Sequence, residues 1–388
     1  MSQAASAVAL SVRETVAVTV FGVLSTFTIG TMPTLFGAAV TEGIMPVSAI
    51  GIAATVQAAA LLVTLTTFNI FARFTRLRLI AGISLAAMAA GLFLSALASE
   101  PTLMMVSRAI TGAGEGTLMW LVMGGVVRSG RPVQVGAAQV MGAGLLRIAM
   151  VAALTVWVVP TFTSHGGWLL VGVAPVLGLF ALPFLPDRYP DSEQSKPHGE
   201  KKRRGLIPPI GLISLSTVLF IVPGVQLINL YAAPLAEHFG YGAGGTLALN
   251  LMSVGNLIGG GLALILGNRL RYTSVFIFGF FAVTTLALMS LYIPNGYVFG
   301  IAVGLMSFVH FFRNSFFVAG HLEADPTKRT ALFHSPVVMI SNIVMQALSS
   351  VLVAGVGVTS IVWIAIITGG IGAALIFWMS RLIRRQPH

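Results

Sequence analysis

The sequence predicts an all-α integral membrane protein with 12 transmembrane helices, arranged as two pseudo-symmetric bundles of six. Three observations carry this expectation. Of the 388 residues 56% are hydrophobic and only 9% charged, against about 25% charged in a soluble globular protein. The apolar stretches run to about 20 residues or more, long enough for helices and too long for the alternating strands of an outer-membrane barrel. The charged residues collect in a few short connections and in one long interruption near the middle of the chain.

Taken in order, the spans fall at 15–38, 46–71, 79–98, 102–127, 135–159 and 167–186, then 208–234, 244–267, 274–293, 297–320, 331–355 and 358–381. Arg13 precedes an apolar stretch long enough to cross a bilayer and no small-residue cleavage site stands out, so the first segment reads as a retained span. The interruption, rich in Lys, Arg, Pro and Ser, reads as a flexible cytoplasmic linker over 187–207 between a bundle at 1–186 and a bundle at 208–388. The chain contains no cysteine, which removes disulfides, thiolate chemistry and thiolate metal sites.

The net charge of +11 is explained by where the basic residues lie. Three of the 22 Lys and Arg residues (Arg108, Arg147 and Arg313) lie within spans, and the others fall at the termini, in the linker and in every second loop. The connections around Thr41-Glu42, Glu100-Pro101, Thr161 to His165, Glu237-His238, Pro294-Asn295 and Val358-Thr359 hold none. By the positive-inside rule both termini and the linker are expected in the cytoplasm of a cell with an inner membrane, and no nucleic-acid partner is expected.

Basic turns recur in corresponding places: Arg73-Phe-Thr-Arg76 after the second span and Asn268-Arg269-Leu-Arg271 after the eighth. The fourth span reads Arg108-Ala-Ile-Thr-Gly112-Ala-Gly114-Glu-Gly116, an arginine followed by spaced glycines. Twelve spans as six plus six, the long middle loop, the two basic turns and this arginine–glycine run together resemble the major facilitator superfamily over essentially the whole chain. The resemblance implies a transporter whose central cavity is lined by helices one, four, seven and ten, and assigns Arg73, Arg76, Asn268 and Arg269 to cytoplasmic gating turns. It departs from the family pattern where Ala72 and Thr75 replace the usual Asp and Gly. The fifth span, Gly142-Ala-Gly144-Leu-Leu-Arg147, lacks the proline-bearing motif of drug-antiporter branches, while Gly114-Glu115-Gly116 is similar to branches that move organic anions, sugar phosphates or lysolipids.

A charge at membrane depth is costly unless it is paired or hydrated, which makes intramembrane ionisable residues functional candidates. Arg108 and Glu115, seven residues apart, project about 20° apart on one helix face. Glu115 is the sole carboxylate in the middle of a span and hence the candidate proton carrier, with Arg108 and Arg147 as its coupling partners. Arg147 lies at the same depth on the adjacent antiparallel helix, so an intramembrane ion pair with Glu115 is expected. Gly112, Gly114 and Gly116 suit close helix approach, and no Walker-type lysine follows them.

His310, Arg313 and Asn314 share one face of the tenth span at i, i+3 and i+4, and are expected to meet substrate together with Arg147, Gln226 and Asn229. Gln226 and Asn229 lie beside Pro223-Gly224, an expected kink. Further polar lining is expected from Thr31, Thr34, Gln139, Tyr231, Asn250, Asn256, Asn342 and Gln346, whereas His321 and His334 read as interfacial.

The expected function is secondary active transport by alternating access, coupled to protons because no nucleotide-binding motif is present. Symport of a small organic anion is expected, since two or three arginines face one cavity. Proton-coupled efflux of amphipathic compounds is the alternative on the same architecture; a non-transporting membrane receptor or assembly factor is the alternative of another class. No cofactor, no metal and no enzymatic activity are expected, and the protein is expected to act as a monomer in the lipid bilayer.

Overall fold

The computed structural model describes residues 10–129, 132–189, 207–266, 269–325, 330 and 333–385. The expected 12 helices are present. The first four spans are Val12–Thr41, Ala49–Phe71, Leu77–Ala96 and Pro101–Arg128. The fifth, Pro132–Ala153, passes through a π-helical turn, Leu154–Val158, into Val159–Gly178, which contains the reversal to the sixth span at Thr163. The seventh span, Pro209–Leu230, breaks at Tyr231 and resumes as the short helix Ala232–His238. Gly242–Leu266, Tyr272–Tyr292, Gly296–Asn314 with its continuation Phe317–Ala324, His334–Val356 and Ser360–Arg385 complete the set.

Among the described residues, ten helical segments are long and apolar enough to cross a membrane, one of them holding the fifth and sixth spans end to end. The fourth span falls short because Arg108, Glu115 and their polar neighbours dilute its hydropathy. Local chemistry sets the ends of several spans. Ser11 and Glu14 form a reciprocal capping box on the first helix. Thr163, with φ of 61°, reverses the chain, and the Glu42 carboxylate then accepts from the Ser164 amide at 2.5 Å and from its hydroxyl, satisfying a helix start that lipid could not.

The glycines of the fourth span do what small residues at such a place allow. Gly112 and Gly116 lie against the backbone carbonyls of Gln57 and Leu61 on the second span, and Gly114 against that of Ser84 on the third. In the corresponding pair of the other half, Gly255 and Gly259 of the eighth span lie against the carbonyls of Gly304 and Phe308 on the tenth. Pro223 does not break the seventh helix, which runs on to Leu230. The proline has no N–H for the carbonyl of Leu219, and the Ser341 hydroxyl donates to that oxygen instead at 2.7 Å.

The two sets of six spans meet near the end of the molecule that carries no basic loops. There Gly37 packs on Ala233, Thr41 donates to Glu237 at 3.4 Å, and the Gly51 amide donates to the Tyr231 hydroxyl at 3.0 Å. Nearer mid-depth, Asn250 donates to Thr155 at 2.9 Å and Thr55 to the Ile343 carbonyl at 3.4 Å. Tyr231, expected as cavity lining, is instead a strut of this seal, linked also to Ser349 at 3.2 Å.

At the basic end, the start of the linker is held rather than free. Residues 187–189 run antiparallel to the turn after the second span: Thr75 bridges Arg188, Leu77 N–H donates to Asp187 O at 2.9 Å and Tyr189 N–H to Phe74 O at 3.1 Å. Phe74 stacks on Trp120 with ring centres 4.5 Å apart, and the Arg128 guanidinium lies 4.6 Å over the Phe74 ring. The buried Tyr189 hydroxyl donates to Leu121 O at 3.2 Å, and burial pushes its phenol pKa up. This strap occupies the turn where Ala72 replaces the acidic residue of the family pattern. The rest of the linker, 190–206, and Asn268 in the matching turn lie outside the described residues.

Candidate functional site

Between the two halves, at mid-depth, is a cavity of about 280 Å³. Its wall from the first six spans carries Gln57, Glu115 and Arg147 among apolar side chains. The facing wall carries Gln226 and Asn229 from the seventh span, Ser253 and Asn256 from the eighth, and Asn342 and Gln346 from the eleventh. Of the residues expected to line it, Glu115, Arg147, Gln226, Asn229, Asn256, Asn342 and Gln346 do so.

Glu115 is fully buried, and its two oxygens are served by different helices. Thr28 of the first span donates its hydroxyl to Oε1, and Gln57 of the second donates Nε2 to Oε2 at 2.8 Å. The other end of the Gln57 carboxamide accepts from Arg108 Nη1 at 3.3 Å. Arg108, also fully buried, donates Nη2 to Ser95 Oγ and lies 4.3 Å over the Trp168 ring. Thus Thr28, Glu115, Gln57, Arg108 and Ser95 form one chain of hydrogen bonds across four helices, with Gln57 as the link between the opposite charges.

The expected ion pair between Glu115 and Arg147 is not formed. Arg147 lies along the first span, in room left by Gly30, and donates Nη2 to the Thr26 carbonyl at 3.5 Å, while its buried Nε has no partner. Equal depth on adjacent helices brought the two residues to one cavity, but the glycine on the neighbouring helix decided where the arginine lies.

The tenth-span cluster turns away from the cavity, so His310, Arg313 and Asn314 do not line it; Phe311 of the same helix does. Arg313 donates Nη2 to the Ile221 carbonyl of the seventh span at 3.0 Å, and its stem passes Gly279 of the ninth. Asn314 donates Nδ2 to His310 Nε2 at 2.9 Å. His310 Nδ1, Arg313 Nε and Asn314 Oδ1 are buried without partners.

Other expectations also change. Thr31 hydrogen-bonds back to the Thr28 carbonyl at 2.9 Å, Thr34 is buried away from the cavity, and Gln139 donates to Val18 O at 3.3 Å. His321 is fully buried rather than interfacial, joined to Ser214 at 2.7 Å and to His334 at 3.0 Å. Arg73, Arg76 and Arg269 lie exposed in their turns, Arg76 with φ of 55° at the start of the third span.

Gln57, Thr28, Ser95 and Trp168 are partners of the two buried charges that charge arithmetic on the sequence passes over. The available signal was Gln57 itself, a carboxamide inside the second span, whose other polar residues are four threonines and an asparagine near its end. No cluster of three or more metal-binding side chains occurs among the described residues.

A family model described as Major Facilitator Superfamily matches residues 15–331. No curated protein matches the sequence. Among solved structures, the nucleoside transporter NupG superimposes with a TM-score of 0.74 at 15% identity, covering 96% of this chain and 99% of that one. A bacterial homologue of the human lysosomal transporter Spinster, in an inward-facing and unoccupied conformation, gives 0.72 at 12% identity, covering 96% and 98%. With a family model matched over most of its length and the same architecture in solved transporters, the chain belongs to the Major Facilitator Superfamily.

Proposed function

We propose that this protein is a proton-coupled secondary transporter that symports a small organic anion by alternating access, with Glu115 as the proton carrier and Arg147 as the cation that meets the substrate. One observation carries the reading: Glu115 and Arg147 line the same cavity without being paired to each other. The hydrogen-bonding partners of Glu115, Thr28 and Gln57, are neutral, so its charge can respond to what the cavity holds. A protonated Glu115 together with an anion on Arg147 leaves the cavity neutral. The same cavity with one of the two ligands missing carries an unbalanced charge, which a low-dielectric interior penalises.

The anion expectation rests on fewer arginines than the sequence promised, since Arg108 is held by Ser95 and Gln57 and Arg313 by Ile221. The distribution of Lys and Arg supports cytoplasmic termini in an inner membrane. On that orientation the seal of Tyr231, Gly51 and Glu237 is external and the cavity belongs to an inward-facing state of a monomer. A second reading, transport of an uncharged polar solute of the kind that names NupG, is favoured by the carboxamides of the cavity and differs in leaving Arg147 dispensable.

Proteoliposomes with an inwardly directed proton gradient are expected to accumulate a small carboxylate, and Glu115→Gln is expected to abolish the dependence on the gradient. Uptake indifferent both to the gradient and to that substitution contradicts the reading.

A further inference from the structure

The two walls of the cavity differ in chemistry. One offers a guanidinium and a carboxylate. The other offers only neutral groups: Gln226, Asn229, Ser253, Asn256, Asn342 and Gln346, drawn from three helices of the second half.

The hydrogen bonding of that second wall is incomplete. Asn229 Oδ1 is engaged by the Ser307 hydroxyl at 2.8 Å, which leaves its amide N–H groups for other partners. Asn256 Oδ1, Asn342 Oδ1 and Gln346 Oε1 are buried acceptors without a donor. These oxygens have no open surface, but their side chains line the cavity, and rotation of each carboxamide brings an oxygen that is costly to leave unpaired to O–H or N–H groups that an apolar ligand does not carry. The tenth-span arginine that would have put charge on this wall is turned away from it.

We infer that the cavity is built for a carboxylate whose remaining carbons carry hydroxyl or amide donors, a hydroxylated acid rather than a simple aliphatic or aromatic one. This inference rests on the anion reading for the charged end of the ligand alone. The carboxylate sits on Arg147 of the first half, and the hydroxyls turn to the carboxamides of the second. Such a ligand bridges the two halves, and its binding is therefore sensitive to how they are rocked against each other. A site that hydrogen-bonds hydroxyls discriminates against the analogue without them far more strongly than an apolar pocket does against one extra methylene.

The test is calorimetric binding to the purified full-length protein with D-gluconate, hexanoate of the same chain length, and D-glucose, at one pH. Gluconate is expected to bind at least about tenfold more tightly than hexanoate. Asn256→Leu and Asn342→Leu, made separately, are each expected to shrink that ratio by weakening gluconate and not hexanoate, and the wild-type ratio stands as a test should either variant fail to fold. Hexanoate equal to or tighter than gluconate, or no binding of gluconate at all, overturns the inference. Glucose bound as tightly as gluconate, with affinity unchanged in Arg147→Gln, overturns the anion reading and with it the assigned class; loss of gluconate binding in Arg147→Gln supports both.

Discussion

The fourth and tenth spans hold corresponding places in the two halves, and they hold their buried ionisable groups in different ways. Glu115 and His310 each follow the first residue of their helix, Pro101 and Gly296, by fourteen positions. Around Glu115 both carboxylate oxygens and both ends of Gln57 are engaged, Arg108 Nε is left without a partner, and the network opens onto the cavity. Around His310 all three residues, His310, Arg313 and Asn314, keep an unpartnered buried atom, and they lie behind the cavity wall. The lesson is that ionisable groups on matching spans differ in whether they reach the cavity: Glu115 does. Arg313 does not, and its bond to the Ile221 carbonyl ties the tenth span to the seventh.

Breaking the Glu115 network gives the largest expected effect. Glu115→Gln removes the ionisable group and should reduce gradient-driven accumulation in proteoliposomes to that of vesicles without protein, while the carboxamide keeps the fold. Gln57→Leu leaves Arg108 and Glu115 each short of a partner in a dry interior. It is expected to lower stability by about 3 kcal/mol, read as an earlier thermal unfolding transition in detergent. Arg313→Met sharpens the comparison from the other side. It should cost about 1–3 kcal/mol through the lost bond to the Ile221 carbonyl yet change ligand affinity by less than about twofold, because the side chain lies behind the wall. The smallest effect is expected at the strap: Tyr189→Phe removes the bond to Leu121 O, costs about 1 kcal/mol and leaves ligand binding unchanged.

How far the sequence discloses this arrangement differs between levels. The spans are legible because apolar runs of about 20 residues have one cheap solution in lipid, and the glycines of the fourth span announce close packing. The depth of Glu115 and Arg147 follows from the helical rise, which is why both were expected at one site. Pairing is not legible in the same way, because it depends on a third helix: Gly30 offers Arg147 a groove beside the Thr26 carbonyl. The i, i+3, i+4 spacing of His310, Arg313 and Asn314 establishes a shared face without saying which neighbour that face meets; it meets the seventh and ninth spans. Gln57 escapes notice because a single neutral amide carries no charge signal, although it joins the two charges the sequence made conspicuous.

The strap of residues 187–189 was likewise hidden inside a stretch whose composition reads as a flexible linker. Its hold on Phe74 and Leu77 is mostly main-chain, and main-chain pairing leaves little trace in composition.

The central claim is that the charge of Glu115 answers to the content of the cavity, and proton counting tests it most directly. Calorimetric titration of a bound carboxylate in buffers of different ionisation enthalpy measures the protons taken up with the ligand. Proton uptake in the wild-type protein that disappears in Glu115→Gln is the predicted result. The same proton count in both proteins would contradict the account.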